Sequence, residues 1–224
     1  MNIRSGVGVV ALVLFAGSAV AQIEGEPIGD FQGMLQQGRT IEFQSFSYED
    51  GVYTLTASSA IGSVGGFASQ VSGDFTLRAK AQVQNLAGVN LGVAGLFLFA
   101  TLEANDRFLM VGNHTDSYAS IQHRITAGAP FVPSPDYFFV NMEPDNHAGD
   151  FEIIRTGDTV VINYFDITTD AWELWMERTI DYADPVYVML GVTSFESGRF
   201  AEGTFSNVVF TPAQSSVAEW ELYQ

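Results

Sequence analysis

The chain has 224 residues, 47% of them hydrophobic, with 26 acidic against 9 basic side chains and a formal charge of −17. That much apolar material supplies a sizeable core and excludes global disorder, while the charge repels phosphate backbones and anionic membranes and so excludes nucleic acid as a partner. Cysteine is absent, which excludes disulfides, thiolate metal sites and cysteine nucleophiles, and leaves packing and backbone hydrogen bonds to hold the fold.

Residues 1–21 read as a signal peptide. Arg4 precedes an apolar run over 6–16, and Ala19-Val20-Ala21 supplies the small-residue ending of a peptidase site. Cleavage is predicted before Gln22, which makes the protein secreted, periplasmic or exposed on the envelope exterior. No later stretch is long and apolar enough to cross a bilayer, so no membrane insertion is expected after cleavage. Residues 22–39 form a lead-in with room for one short edge strand. The main domain is predicted over 40–211, and 212–224 form a tail whose "AEWELY" fits an edge strand or a helical turn.

The runs 40–48 and 52–57 flank "EDG", a hairpin signal. Residues 58–73 are rich in Ser and Gly around a short apolar run at 67–71. The clearest alternation follows at 74–84. Phe75, Leu77, Ala79, Ala81 and Val83 point one way, and Thr76, Arg78, Lys80, Gln82 and Gln84 the other, as an antiparallel strand on a core requires. The run 91–101 is apolar on both faces, which predicts a central strand, and its Gly92 and Gly95 suit a close approach by a neighbour. Runs 107–112 and 117–124 flank "NHTD". Residues 125–149 hold four prolines and read as an irregular stretch, with room for one short strand at 137–142. Five runs then follow at 151–155, 159–165, 172–179, 186–195 and 204–210, cut by "TGD", "DITTD", "DYADP" and "ESGRFAEG". Short strands at this spacing predict an all-β fold, an antiparallel sandwich or barrel.

The phrases "VSGDFTLRAKAQ" at 71–82, "AGLFL" at 94–98, "RFLMVG" at 107–112, "IQHR" at 121–124, "FEIIRTGDTVVINYFDITTDAWELW" at 151–175, "VYVMLGVTS" at 186–194 and "GTFSNVVF" at 203–210 resemble one bacterial family. It belongs to the concanavalin A-like lectin/glucanase superfamily and comprises secreted domains similar to the yeast "regulation of enolase" protein. The resemblance covers about residues 40–210. It implies a jelly-roll sandwich of two curved antiparallel sheets, one concave, on which members of the superfamily bind or cleave glycans. The chain departs from the family pattern at 61–67, which lacks aromatics, and in its longer proline-rich insertion after Arg124.

No complete catalytic set is legible. "EPDNH" at 143–147 lacks the second Glu of the retaining-glycosidase pattern and contains Pro144. Glu173 and Glu177 flank Trp175 on one face by simple alternation, but lie about 13 Å apart along an extended strand. Polysaccharide lyases of related jelly rolls use a Tyr or His base beside neutralising Arg, Asn or Gln. Gln122, His123 and Arg124 invite that comparison, yet alternation sets His123 opposite the other two and reads it as a core residue. His114 reads as a turn residue. With His147 they lack zinc spacing. No cofactor is predicted; the acidic stretches 143–150 and 166–170 offer oxygens to a structural calcium without the regular loop spacing. "NHT" at 113–115 is a glycosylation sequon by form only.

Sugar sites pair a flat ring with planar polar groups: the ring covers the apolar face while amides and guanidinium bond the hydroxyls. On that chemistry Gln122 and Arg124, which share a strand face, and Trp175, opposite Trp172, are the candidate ligand-binding residues. If Trp172 is core, as the family pattern implies, Trp175 is available to a ligand or to the opposite sheet. The expected function is an exported non-catalytic binding domain, with an extracellular or cell-surface glycan as partner. A glycan-active enzyme (hydrolase or lyase) and an envelope or matrix structural protein stay open beside it.

Overall fold

The structure is a computed structural model that describes residues 27–37, 41–59, 63–86, 92–101, 103, 106–115, 118–124, 126–128, 132–133, 148–195 and 197–212. The predicted signal peptide, the tail beyond 212 and the predicted strand at 137–142 lie outside the described residues.

The described chain is strand after strand: β1 (Gly33–Gln37), β2 (Ile41–Glu49), β3 (Val52–Ser59), β4 (Val64–Val71), β5 (Phe75–Asn85), β6 (Val93–Phe99) and β7 (Phe108–His114). Then come β8 (Ala119–Arg124), β9 (Val132–Pro133), β10 (Ala148–Thr156), β11 (Thr159–Asp166), β12 (Ala171–Thr179), β13 (Val186–Thr193) and β14 (Ala201–Pro212). They form two seven-stranded sheets. Sheet I has the order β1-β4-β13-β6-β7-β8-β9, and sheet II has β12-β11-β10-β5-β14-β3-β2. Every recorded strand pairing is antiparallel. The fold is all-β, as the alternation predicts, and is the jelly-roll sandwich of two antiparallel sheets that the resemblance implies.

Local chemistry explains the strands and their turns. In β5, Phe75, Leu77, Ala79, Ala81 and Val83 are all buried, while Thr76, Arg78, Lys80 and Gln82 on the other face are half-buried. The β2–β3 hairpin turns on Asp50 and Gly51, with φ of 51° and 80°. Asp and Gly tolerate that left-handed backbone, whose twist matches the flanking strands. Burying each Leu or Phe of the core contributes about 1.5–3 kcal/mol, offset by the entropy of ordering the chain.

Several elements exceed their predicted bounds, β4 and β14 most of all. β4 begins at Val64 rather than 67, because the Ser/Gly-rich stretch pairs fully with β13. β14 runs Ala201–Pro212 through a bulge between Ser206 and Val209, with Asn207 at φ 53°. The lead-in supplies the edge strand foreseen for it, β1, along β4. Just before it, Phe31 enters the core, stacked on Phe210 and edge-on to Tyr53, both of sheet II. One short segment thus ties the two sheets together.

Sheet I carries apolar side chains on both faces. Ala94, Leu96 and Leu98 of β6 point into the inter-sheet core. Val93, Phe97 and Phe99 point outward and join Val64, Ala68, Met110 and Met189 in a second buried cluster. The central position predicted for the 91–101 run therefore holds. Across this outer face runs a row of glycines in register, Gly66–Gly191–Gly95–Gly112. A Cβ on Gly95 would lie 2.3 Å from the Val111 carbonyl oxygen and 2.7 Å from Gly112 Cα. Only hydrogen fits where the strands approach so closely.

Candidate functional site

The outer face of sheet I holds a pocket. Its apolar wall is Val64, Phe97, Phe99, Phe108, Met110 and Phe195, and its polar groups are Ser63, Thr193, Gln122 and Arg124. Strand register assembles it. Phe97 pairs with Met110, and Met110 with Gln122, making one row across β6, β7 and β8. Phe99, Phe108 and Arg124 make the next. Because side chains alternate at every residue, Gln122 and Arg124 share this face as expected, and His123 between them does not. His123 pairs with the core residue Leu109 and is buried.

Arg124 stands over Phe108, its guanidinium carbon 5.4 Å from the ring centre. Nη1 donates to the Asp106 backbone carbonyl at 3.1 Å, and Nε is buried with no partner among the described residues. The Asp106 carboxylate is engaged elsewhere. It accepts from the Thr101 hydroxyl at 2.5 Å and the Arg107 backbone N–H at 2.7 Å. Burial alone would raise its pKa, but those hydrogen bonds and the Arg107 charge hold it below the usual carboxylate range. No carboxylate is among the described residues that line the pocket, where Arg124 brings a cation into a wall that is mostly apolar.

Gln122 is buried, and its Nε2 lies 3.5 Å from Ser120 Oγ, the outer limit of a hydrogen bond. Ser120 Oγ is taken more closely by His114 Nε2, at 2.6 Å. His114 was expected in a turn. It is instead the last residue of β7, 3% exposed, with its ring stacked on Tyr118 at 4.1 Å. Burial lowers its pKa to about 4, so the ring is neutral at pH 7. The neighbouring Asn113 of the sequon is fully buried and donates to the Ala81 carbonyl, so it offers no exposed amide for a glycan.

Trp175 does not join Gln122 and Arg124. It belongs to sheet II, where its ring lies 5.4 Å from Tyr164 and 6.3 Å from Phe151 and packs on the inter-sheet core. Trp172, the residue the family pattern made core, stands on the outside under the guanidinium of Arg78, at 4.7 Å. Arg78 also pairs with Glu152, whose second oxygen accepts from Asn163 Nδ2 at 2.9 Å.

The acidic pair on β12 is corrected as well. A bulge opposite Ile162 and Asn163 breaks the alternation. Glu173 then pairs with Tyr164, which packs on the core, and Glu177 with Val161 on the opposite face. The two glutamates are exposed on different sides and cannot act together. Among the described residues no three His, Asp or Glu side chains converge on a metal position. Asp166, from the acidic 166–170 stretch, accepts instead from Thr168 at 2.7 and 2.6 Å.

Sequence reasoning missed the aromatic half of the pocket. Phe97, Phe99 and Phe108 were legible as strand residues, but nothing local says which apolar face of β6 lines a pocket. Phe195 lies past the end of β13, in a stretch read simply as strand.

No family model matches the chain, and no curated protein matches it. Among solved structures it is similar to a functionally unknown protein from Saccharomyces cerevisiae, at 15% identity and a TM-score of 0.58, over 77% of this chain and 95% of that one. It is also similar to the alginate lyase AlgAT5 from Polysaccharide Lyase family 7, at 11% identity and a TM-score of 0.48, over 86% and 93% of the two chains. A structure described with the endo-acting O-glycanases of human gut microbiota is similar at 12% identity and a TM-score of 0.49, over 75% and 83%. At these identities the likeness is one of fold.

Proposed function

We propose that the protein is an exported, non-catalytic carbohydrate-binding domain whose ligand seat is the pocket on sheet I. The observation that carries this reading is the placement of Gln122 and Arg124 on one strand face beside Phe99 and Phe108. Planar donors next to flat apolar rings match a sugar, which presents hydroxyls at its edge and C–H groups on its face. The imidazole nearest in sequence to these donors, His123, faces the core. Among the described residues, the one that shares their face, His114, is buried and bonded to Ser120. Neither is set to take a proton from a ligand above Arg124, which favours binding over turnover.

The test is an array of neutral and acidic oligosaccharides probed with the protein from residue 22 onward. The wild type binds a defined subset, and Gln122→Ala and Arg124→Ala each weaken that binding about tenfold, a loss of about 1.4 kcal/mol. Absence of any binding, or binding indifferent to both substitutions, removes the reading. Release of reducing ends or unsaturated sugars from a polysaccharide panel replaces it with the enzyme alternative.

A further inference from the structure

Among the described residues four non-glycines have positive φ, and three are Asp50, Asp170 and Asn207, types that tolerate the left-handed region. The fourth is Phe195, at φ 57°. A bulky side chain gains nothing locally from that backbone, so the surroundings must impose it. They are in view. β3 ends on sheet II and β13 on sheet I, and their last residues interlock. Ser59 N donates to Ser194 Oγ at 2.9 Å, and Ser194 N donates to Ser59 Oγ at 3.1 Å. The Ser59 and Thr193 hydroxyls lie 2.7 Å apart. Just beyond, Gly198 N donates to Ser58 Oγ at 2.7 Å. Hydrogen bonds on both sides of Phe195 pin its backbone, and the strained conformation delivers the half-buried ring to the pocket wall with Thr193.

We infer that Phe195 is the aromatic platform of the pocket, a specificity-determining residue whose ring covers the apolar face of a bound sugar, and that the Ser59–Thr193–Ser194 corner exists to hold it there. The inference rests on the carbohydrate reading of the same pocket. It names the stacking partner that the sequence had sought in Trp175. Strain retained at a half-buried pocket edge, where a turn-compatible residue would relieve it, is the expected signature of a functional constraint.

Four variants of the whole mature chain test it, each assayed for binding to the same oligosaccharide array and for Tm. Phe195→Asn accepts the left-handed backbone without a ring, and is expected to lose binding about tenfold or more, at a modest cost in Tm because the ring also packs on the outer cluster of sheet I. Phe195→Leu keeps apolar volume without a flat face, and is expected to lose binding similarly. Phe195→Trp restores a flat ring and is expected to retain binding. Ser59→Ala loosens the corner, and is expected to weaken binding by several-fold. A Phe195→Leu variant that binds as wild type overturns the platform. So does a Phe195→Asn variant that binds as wild type, since the ring would then only be packing on the outer cluster. If Gln122→Ala and Arg124→Ala abolish binding while the Phe195 variants retain it, the carbohydrate seat stands and this inference fails. If the wild type binds nothing on the array, both fall.

Discussion

Trp172 and Trp175, three residues apart on one strand, face opposite sides of sheet II: Arg78 lies over the first, and Phe151 and Tyr164 pack on the second. The division of labour follows from burial. Trp172 stands under a guanidinium on the outer face, whereas Trp175 fills space between the sheets, where lost contacts leave a cavity.

Trp175→Ala is therefore expected to lower stability by about 2–3 kcal/mol, less than a fully buried tryptophan because the site is at the sheet edge. Trp175→Phe recovers most of that loss. Chemical denaturation reads both effects. Neither variant should change affinity on an oligosaccharide array at temperatures where it is folded.

Acid should act in two separate windows. The His114 pKa is near 4 in the fold against 6.5 for the free side chain, because burial disfavours the charged ring. Folding thus favours neutral His114. Its contribution is complete above pH 6.5, declines as the unfolded chain takes up the proton, and levels off below about pH 4, for a total on the order of 3 kcal/mol. His123, lowered by burial and by Arg178, acts in the same sense. Asp184 is a carboxylate held low despite its desolvation, by the Gly73 N–H and by Arg155. Its contribution is present at neutral pH and is lost only as pH falls below the ordinary carboxylate range. Urea midpoints taken from pH 8 to 3 should show the histidine decline first. His114→Phe, which keeps an aromatic ring against Tyr118, should flatten the curve between pH 6.5 and 4 and leave the lower part intact.

Arg155 closes one end of the sandwich. It is buried, and it donates to the Gly157 carbonyl at 3.0 Å, the Tyr182 carbonyl at 2.9 Å and Asp184 Oδ1 at 2.6 Å. A single ammonium cannot reach three acceptors in that fan. Arg155→Ala should cost about 3 kcal/mol, and Arg155→Lys should recover less than half. A loss under about 1 kcal/mol in denaturant would show that the carbonyls find other partners.

The glycine row in sheet I predicts intolerance of one methyl group. Gly95→Ala places a Cβ against the backbone of β7 and cannot be relieved by a rotamer change. A cost of about 3 kcal/mol, near the top of the range for overpacking, is expected in denaturant unfolding. Gly51→Asn in the β2–β3 turn meets no atom within 4 Å and keeps a residue that tolerates positive φ. Its cost should stay under about 1 kcal/mol.

What the amino-acid sequence determined by itself is whatever depends on neighbouring residues. Side chains switch faces at each step, so Phe75 to Val83 were legible as a core face, and His123 as opposed to Gln122 and Arg124, without knowing any partner strand. Asp50-Gly51 marked its turn for the same local reason. Tertiary structure decided everything that depends on register between strands far apart in the chain. β13 lies between β4 and β6, more than ninety residues from β6 at its centre, and that pairing aligns the glycines and brings Thr193 and Phe195 to Phe97. The bulge in β12 put Glu173 and Glu177 on opposite faces, because one unpaired residue reverses every side chain beyond it. Alternation is written in the covalent order, whereas the meeting of two strands is set by which pairing buries the most apolar surface across the whole domain.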